Sequence, residues 1–237
     1  MRLTLVRNAT VVVEIRGKRL LVDPMLDDEG ARPPIENTAN PVANPTVPLP
    51  FAAAEVVRGI DGVLVTHRHR DHIDARAEEL LPRDVAVFCQ PEDEDALRAL
   101  GLNARAVASE LDWDGLHITR TPARHGSGAI AELLAPVSGF VLDDLYLAGD
   151  TVWYEGVAET IDRHRPRVAV VNAGGAAFLE GGLIVMGIYD VREVVARVPT
   201  VVAVHMEAIN HWVLTRAALR EALPGVLAPE DGETVEL

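Results

Sequence analysis

Cysteine, lysine and serine are scarce in this chain of 237 residues, and their scarcity excludes several kinds of catalytic site. Cys89 is the only cysteine, so a disulfide framework and a cysteine-ligated zinc site are excluded. The only lysine, Lys18, lies in a polar turn between two predicted strands, which leaves no P-loop and no better amine for Schiff-base chemistry. None of the three serines stands in a Gly-x-Ser-x-Gly motif. Any chemistry must therefore use histidine, aspartate and glutamate.

Basic residues and long apolar runs are also few. The chain has 22 lysines and arginines against 36 aspartates and glutamates, a formal net charge of −14. An acidic surface repels phosphate backbones, so we expect no nucleic-acid partner. No apolar run approaches the roughly 18 residues of a membrane span, and no signal peptide is indicated. These absences predict a cytoplasmic protein without membrane contact, and they leave open whether it forms a homo-oligomer.

The pattern of apolar residues predicts an α/β protein with a single domain over residues 1–237. An opening β-meander is predicted from the short apolar runs Leu3–Val6, Thr10–Ile15 and Leu20–Val22. Further strands are predicted at Val63–Thr66, Val85–Cys89, Leu116–Thr119, Gly139–Leu142, Leu145–Ala148, Val168–Val171 and Val201–His205, with a final edge strand at Glu233–Leu237. Helices are predicted at Asp74–Leu81, Glu92–Leu100, Gly156–His164, Asp190–Val198 and Thr215–Leu223. Meanders interleaved with helices indicate two sheets packed face to face with helices outside.

The segment Asp27–Pro50 differs from the rest of the chain. It contains six prolines and three asparagines, so it can form neither a helix nor a central strand. A connection of this length within a domain is usually functional. We therefore expect a lid or binding loop.

A dense group of potential metal ligands begins at His67, directly after the predicted strand Val63–Thr66. The run Thr66–His72 contains three histidines and one aspartate in the pattern His-x-His-x-Asp-His, at positions 67, 69, 71 and 72. Treating positions as independent, this pattern arises by chance in roughly one such chain in a thousand. Imidazole and carboxylate together suit zinc, manganese, iron or cobalt rather than calcium. The run therefore predicts a metal site.

Three more candidate ligands stand at predicted strand ends. His125 follows the strand and bend over Leu116–Ala123, Asp150 follows an apolar strand and a glycine, and His205 ends Val201–His205. Each has a simpler interpretation, as a turn residue, a helix N-cap and a core histidine respectively. Because a scaffold fixes side chains best at the ends of its regular elements, their occurrence beside the first cluster favours a shared site.

In this order, His67-x-His69-x-Asp71-His72, His125, Asp150 and His205 resemble the ligand pattern of the metallo-β-lactamase superfamily. The resemblance covers nearly the whole chain and implies an αββα sandwich with a dinuclear metal site at one edge of the sheets. Length and motifs are most similar to the branch that contains L-ascorbate-6-phosphate lactonase.

The resemblance also implies a role for each ligand. His67, His69 and His125 would hold the first ion, Asp71, His72 and His205 the second, and Asp150 would bridge them. Two divalent ions, zinc or manganese first and iron as an alternative, would hold a shared hydroxide that attacks the substrate. Asp71, His72 and Asp150 are thus the expected catalytic residues.

Four further residues are candidates for supporting the ligands or contacting substrate. Asp23 ends a strand, where it is either a turn carboxylate or a partner that orients a ligand histidine. His211 and Glu207 follow His205 closely, and simple exposure is their alternative. Trp153 follows the Asp150 loop and either walls a pocket or packs in the core.

These observations lead to one hypothesis and three alternatives. The leading hypothesis is a metal-dependent hydrolase of a small-molecule substrate such as a lactone, amide or phosphoester. A phosphodiesterase or nuclease on the same scaffold is the first alternative, although the net charge opposes it. The others are a di-iron protein that reduces oxygen or nitric oxide, and a catalytically silent metal-binding protein. The related di-iron proteins usually carry a glutamate where this chain has His69, which disfavours that alternative.

Overall fold

Two β-sheets face each other at the centre of the computed structural model, which describes residues 1–237. The first sheet has seven strands: β1 (Arg2–Arg7), β2 (Thr10–Ile15), β3 (Lys18–Val22), β4 (Gly62–Val65), β5 (Ala86–Cys89), β6 (Asn103–Ala106) and β13 (Thr234–Glu236). Their spatial order is β13-β1-β2-β3-β4-β5-β6. The second sheet has six strands: β7 (Glu110–Trp113), β8 (Leu116–Pro122), β9 (Ser138–Leu142), β10 (Leu145–Leu147), β11 (Val168–Asn172) and β12 (Thr200–Val204). Their order is β12-β11-β10-β9-β8-β7.

Seven helices connect these strands: α1 (Ala53–Val56), α2 (Ala75–Leu80), α3 (Pro91–Ala99), α4 (Ala129–Leu134), α5 (Glu155–His164), α6 (Ile188–Val195) and α7 (Arg216–Ala222). Helices α1 to α3 contribute to the apolar cluster on the outer face of the first sheet. Helices α5 to α7 contribute to the corresponding cluster on the second sheet. The layers are therefore helix, sheet, sheet, helix, which confirms the predicted αββα sandwich.

The strand sequences explain why both faces of each sheet are covered. Successive side chains of a strand point to opposite faces, so a run of apolar residues supplies two cores at once. In β5, Phe88 joins the cluster of 22 buried residues between the sheets, whereas Val87 and Cys89 join the outer cluster under the helices. Buried apolar area is the main stabilising contribution to such a sandwich.

Strand direction places the carboxyl ends of several strands at the same end of each sheet. Strands β3, β4 and β5 are parallel, as are β10, β11 and β12. Strand β8 is antiparallel to β9, which is antiparallel to β10, so β8 and β10 run the same way. The residues that follow β3, β4, β8, β10 and β12 therefore emerge at the same edge of their sheet.

The predicted strands and helices are present, and their bounds differ from the predicted ones by at most three residues. Four short elements, α1, α4, β6 and β7, were not predicted from the sequence. All four are short, and β6 and β7 carry polar residues at the free edges of their sheets. Strand β12 ends at Val204, one residue before the predicted end, because His205 adopts a left-handed backbone conformation with φ 59°. No helix is long and apolar enough to cross a membrane.

The segment 27–50 contains neither a helix nor a strand, as predicted, but it is fastened to the body of the protein. The buried guanidinium of Arg7 donates to the carbonyl oxygens of Met25, Asp27 and Val47 over 2.8–3.0 Å. The backbone amide of Thr46 also donates to the Ala208 carbonyl over 2.8 Å.

Asn210 is the second point at which this segment is fixed. Its Oδ1 accepts from the Ile35 backbone amide at 3.0 Å and from Asn44 Nδ2 at 2.7 Å. Its Nδ2 lies within 3.0 Å of three acceptors, the Ile35 carbonyl, Thr38 Oγ1 and the Asn40 carbonyl. The side-chain amide of Asn210 thus supplies hydrogen-bond partners for backbone groups of this segment, which no neighbouring strand pairs.

We expect Asn210→Ala to lower the free energy of unfolding by about 2–4 kcal/mol, because buried groups of the segment lose their partners. Hydrogen exchange at the Ile35 amide should accelerate. The matched control is Asn103→Ala, whose side chain makes one exposed hydrogen bond to the Asp84 carbonyl at 3.2 Å. The control should change stability by less than about 0.5 kcal/mol. Equal effects of the two substitutions in denaturant titrations would contradict this role of Asn210.

Candidate metal centre

The seven predicted ligands lie together at the common edge of the two sheets. His67 follows β4, His125 follows β8, and Asp150 follows β10. His205 follows β12, and the remaining three residues stand in the turns after β4. Their side-chain ligand atoms form two groups, within each of which the atoms lie within 4.8 Å of one another: His67, His69 and His125, and then Asp71, His72, Asp150 and His205. The structure therefore brings together residues up to 138 positions apart in the sequence.

Asp150 lies between the two groups. Its Oδ2 is 3.2 Å from Nε2 of His125 and 3.9 Å from Nε2 of His67 in the first group. The same oxygen is 3.3 Å from Nε2 of His72, and Oδ1 is 3.7 Å from Nε2 of His205. A carboxylate in this position can share its oxygens between two cations.

The donor set fits divalent metal ions. Two ligands of one tetrahedral zinc ion, each at about 2.1 Å, lie about 3.4 Å apart, which is close to the distances around Asp150. Nε2 of His72 is buried, and although it lies 3.3 Å from Oδ2 of Asp150, the geometry is not that of a hydrogen bond. Such an orphaned nitrogen is rare in a folded interior unless a ligand satisfies it. Imidazole nitrogens and carboxylate oxygens are also the donors that zinc, manganese and iron accept.

The electrostatic environment favours the ligating forms of His67, His69 and Asp150. Burial lowers the pKa of His67 well below its ordinary value, and the neighbouring His72 lowers it further. Burial is also the main cause of the lowered pKa of His69. Burial alone would raise the pKa of Asp150, but the surrounding histidines, His72 first, hold it well below its ordinary value. Neutral imidazoles and ionised carboxylates are the forms that bind metals. For His72 and His205 burial alone would lower the pKa, but the nearby carboxylates, Asp150 first, outweigh burial and raise the pKa, so these two rings must lose a proton to bind a metal.

Hydrogen bonds behind the ligands orient the histidine rings. Nδ1 of His72 lies 2.8 Å from Oδ2 of Asp23, and Nδ1 of His125 lies 2.8 Å from the Ile184 carbonyl oxygen. With a proton on each Nδ1, Nε2 presents its lone pair to the site. Asp23 also accepts from the backbone amide and the hydroxyl of Thr66, each at 2.8 Å. The contacts of Asp23 match the supporting position considered for it from the sequence.

Local backbone geometry explains the glycine before Asp150. Gly149 has φ 64°, and a Cβ at this position would lie 2.6 Å from the Ser138 carbonyl oxygen. Only glycine tolerates both conditions. The chain can therefore turn sharply at the end of β10 and direct Asp150 into the cluster.

A cavity of about 390 Å³ opens beside the ligands. Three of the seven clustered residues, His69, Asp71 and His125, line it. Its apolar wall comes from segment 27–50, the end of α4 and two loops: Pro33, Ile35, Leu134, Phe178, Ile184 and Ile209. The other polar lining residues are Arg32, Asn44, Arg70 and His211. Segment 27–50 thus contributes to the cavity, as expected of a binding loop.

Both arginines of the cavity are paired with carboxylates of the protein. Nε of Arg32 lies 3.0 Å from Oδ2 of Asp27, and Nη1 of Arg70 donates to Glu78 over 2.9 Å. Their positive charges are therefore balanced before any substrate arrives.

The remaining three sequence candidates lie in different environments. His211 lines the cavity, and burial lowers its pKa to about 4, so the ring is neutral at pH 7. Glu207 instead pairs with Arg216 at 2.8 Å, and Trp153 packs against the outer core with the Arg197 guanidinium 4.8 Å from its ring. Neither Glu207 nor Trp153 lines the cavity.

Some residues around the site were not singled out from the sequence. Asn172 donates to Oδ1 of Asp150 over 2.6 Å from the end of β11, a strand-end position that could have been considered. Asn8 donates to the Asp71 carbonyl over 3.0 Å, and its own carbonyl accepts from the His205 amide at 2.8 Å.

Comparison with known proteins agrees with this geometry. A family model described as the beta-lactamase superfamily domain matches residues 18–208. The UPF0173 protein YddR of Bacillus subtilis is 36% identical over 99% of both chains. A UPF0173 metal-dependent hydrolase of Azorhizobium caulinodans is 29% identical over 73% of both chains.

A solved structure is similar over the whole chain. The isothiocyanate hydrolase from Delia radicum gut bacteria superposes with a TM-score of 0.93 and is 37% identical, covering 100% of this chain and 99% of its own. The predicted resemblance to the superfamily is confirmed, whereas the likeness to the lactonase branch stays a prediction.

We expect Asp23→Asn to weaken metal affinity about 10–100-fold, because the substitution removes the charged acceptor that orients His72. Metal affinity can be measured by competition with a chromophoric chelator. Asp61→Asn is the matched control, since Asp61 is exposed and accepts one bond, from the Arg19 backbone amide at 2.7 Å. If the two variants bound metal equally well, the orienting role of Asp23 would be wrong.

Proposed function

The chain belongs to the beta-lactamase superfamily and is a metal-dependent hydrolase of the metallo-β-lactamase fold, and from this premise we propose that it uses two divalent ions to hydrolyse a small uncharged electrophile. The single observation that carries the proposal is the position of Asp150 between two separate groups of ligand atoms.

Each side chain has a defined part in this proposal. His67, His69 and His125 would hold one ion, Asp71, His72 and His205 would hold the other, and the carboxylate of Asp150 would be available to both. Zinc and manganese are the expected metals, and iron is compatible with the same donors. When bound, such a pair of ions supplies activated water at neutral pH and stabilises negative charge that develops on the substrate.

The residues of the chain position the reactants. Asp71 is the one carboxylate that lines the cavity, and its Oδ2 lies 3.2 Å from Nε2 of His205. We assign to Asp71 the orientation of the attacking water, through a hydrogen bond that its carboxylate accepts. Asp23 keeps the His72 ring fixed, so that this geometry is formed before substrate binds.

The cavity favours uncharged substrates with an apolar group. Its wall is aliphatic and aromatic, and the guanidinium groups of Arg32 and Arg70 are already paired. An anionic group would lose hydration against the apolar wall, where both arginines are already ion-paired and only the proposed ions would balance its charge. Phosphoesters are therefore the least suitable of the substrates considered from the sequence, whereas lactones and amides are compatible.

Isothiocyanates are the first substrate class that we propose. The similar structure that covers the whole chain at 37% identity is described as an isothiocyanate hydrolase. An isothiocyanate has an electrophilic carbon and no charge, which suits this cavity. In the balanced reaction, the oxygen of water bonds to that carbon, the carbon–nitrogen bond breaks, and both protons go to nitrogen, so the products are an amine and carbonyl sulfide.

Removal of the shared carboxylate tests the proposal directly. We expect Asp150→Ala to bind less metal and to lower turnover of benzyl isothiocyanate by on the order of 10³-fold or more, because transition-state charge loses several kcal/mol of stabilisation. Metal content is measured by elemental analysis and the amine product by chromatography. Asp162→Ala, at an exposed position on α5, is the control. Full activity of the Asp150 variant would end the proposal, as would fewer than two ions per chain in the active wild type.

A pair of substrates tests the preference for uncharged molecules. We expect kcat/KM for 4-(isothiocyanatomethyl)benzoate to be at least about tenfold below that for benzyl isothiocyanate, since burial of its carboxylate is uncompensated. Equal values would contradict the assignment. Hydrolysis of a phosphodiester in place of both compounds would favour the phosphodiesterase alternative, and metal binding without any turnover would favour the silent one.

A further inference from the structure

His211 occupies the cavity without a partner in the protein. It lies in the loop after β12, its side chain is 5% exposed, and it lines the cavity together with Asp71. Its Nδ1 is buried and neither donates nor accepts a hydrogen bond within the protein. The centre of its ring lies 5.9 Å from that of His205, but His211 belongs to neither group of ligand atoms.

The backbone on both sides holds this ring in place. The backbone amide of Asn210 donates to Oδ1 of Asn44 over 2.8 Å, and the Ala177 amide donates to the His211 carbonyl over 3.0 Å. The loop is therefore anchored at His211, yet the polar atoms of the ring itself are not satisfied by it. Because buried polar atoms in folded proteins almost always have a partner, the missing partner is expected to be a molecule that enters the cavity.

The neighbouring groups of the protein do not supply the missing hydrogen-bond partner of His211, so we assign that partner to the substrate. The charges that act on His211 come from Asp71, His205, Asp150 and His125, and all four belong to the ligand groups of the proposed metal centre. Of the other polar lining residues, Asn44 is hydrogen-bonded to Asn210, and Arg32 and Arg70 lie against carboxylates. Nε and Nη2 of Arg32 make no hydrogen bond, but a guanidinium can only donate. An uncharged imidazole offers one donor and one acceptor, so His211 is the lining side chain able to pair with either kind of atom on a neutral substrate.

We propose that His211 is a substrate-binding residue whose ring forms a hydrogen bond with a heteroatom attached to the electrophilic carbon. The inference rests on the proposed function and adds to it a residue that selects and orients the polar end of the substrate. The apolar wall receives the hydrocarbon group, and the imidazole fixes the reacting end beside Asp71.

Two variants separate hydrogen bonding from shape. His211→Phe keeps a ring without nitrogen atoms, and His211→Asn keeps a donor and an acceptor near the position of Nδ1. The control is His117→Phe, on β8, where the half-exposed histidine pairs with Asp112 at 3.1 Å outside the cavity. The first measurement is the Kd of metal-loaded protein for N-benzylthiourea, a neutral and unreactive analogue of a hydrated isothiocyanate, by calorimetry.

We expect His211→Phe to raise this Kd about tenfold, as for a lost hydrogen bond between neutral groups, and His211→Asn to stay within about threefold of the wild type. The kcat/KM for benzyl isothiocyanate should follow the same order. Metal content should be equal in all four proteins, which distinguishes substrate binding from a role in holding the ions.

Four other results would overturn the role proposed for His211. Equal affinity of the phenylalanine variant and the wild type overturns the inference, and so do equal losses in the phenylalanine and asparagine variants. Loss of metal from the phenylalanine variant, or no binding of N-benzylthiourea by the wild type, also overturns it. If the wild type binds this analogue through His211 but cleaves no isothiocyanate, the proposed function fails while the assignment of His211 stands.

Discussion

The burial of two carboxylates and four histidines, with the partly exposed His69 beside them, is the constraint on which the rest of this structure depends. Buried ionisable groups are tolerated only when they are paired, hydrogen-bonded or bound to metal ions. Asp150 satisfies one part of this requirement through its contacts with histidines of both groups and with Asn172. The positive charge that two divalent ions would bring completes the balance. The carboxyl ends of four strands meet at this cluster, so the fold itself brings these residues together.

The segment 27–50 shows how an irregular chain can line such a site and still be held in place. Proline and asparagine prevent regular pairing along the segment, so its backbone groups need other partners. Arg7 and Asn210, which lie far away in sequence, supply them from inside the protein. These contacts hold the segment against the body of the protein, where Pro33 and Ile35 line the cavity.

The fold and the convergence of the ligands could be predicted because both depend on local patterns. Apolar runs mark the strands, and histidines or aspartates directly after those runs mark the site edge, as at His67 and His205. The position of Glu207 could not be predicted in this way. Its left-handed backbone, with φ 62°, directs the side chain toward Arg216, and only the folded chain shows this. The edge strands β6 and β7 were missed because sheet pairing, not apolar periodicity, forms them, and the contacts of Asn210 join residues about 170 positions apart.

The ligands and the cavity wall come from different parts of the architecture. Every ligand lies at the end of a strand or in the turn after it, whereas Pro33, Leu134, Phe178 and Ile209 belong to connecting segments or to the short helix α4. Connections between elements accept substitution and insertion more readily than the strands that they join. Proteins of this fold can therefore change substrate through substitutions in the connecting segments, while the residues at the strand ends stay the same.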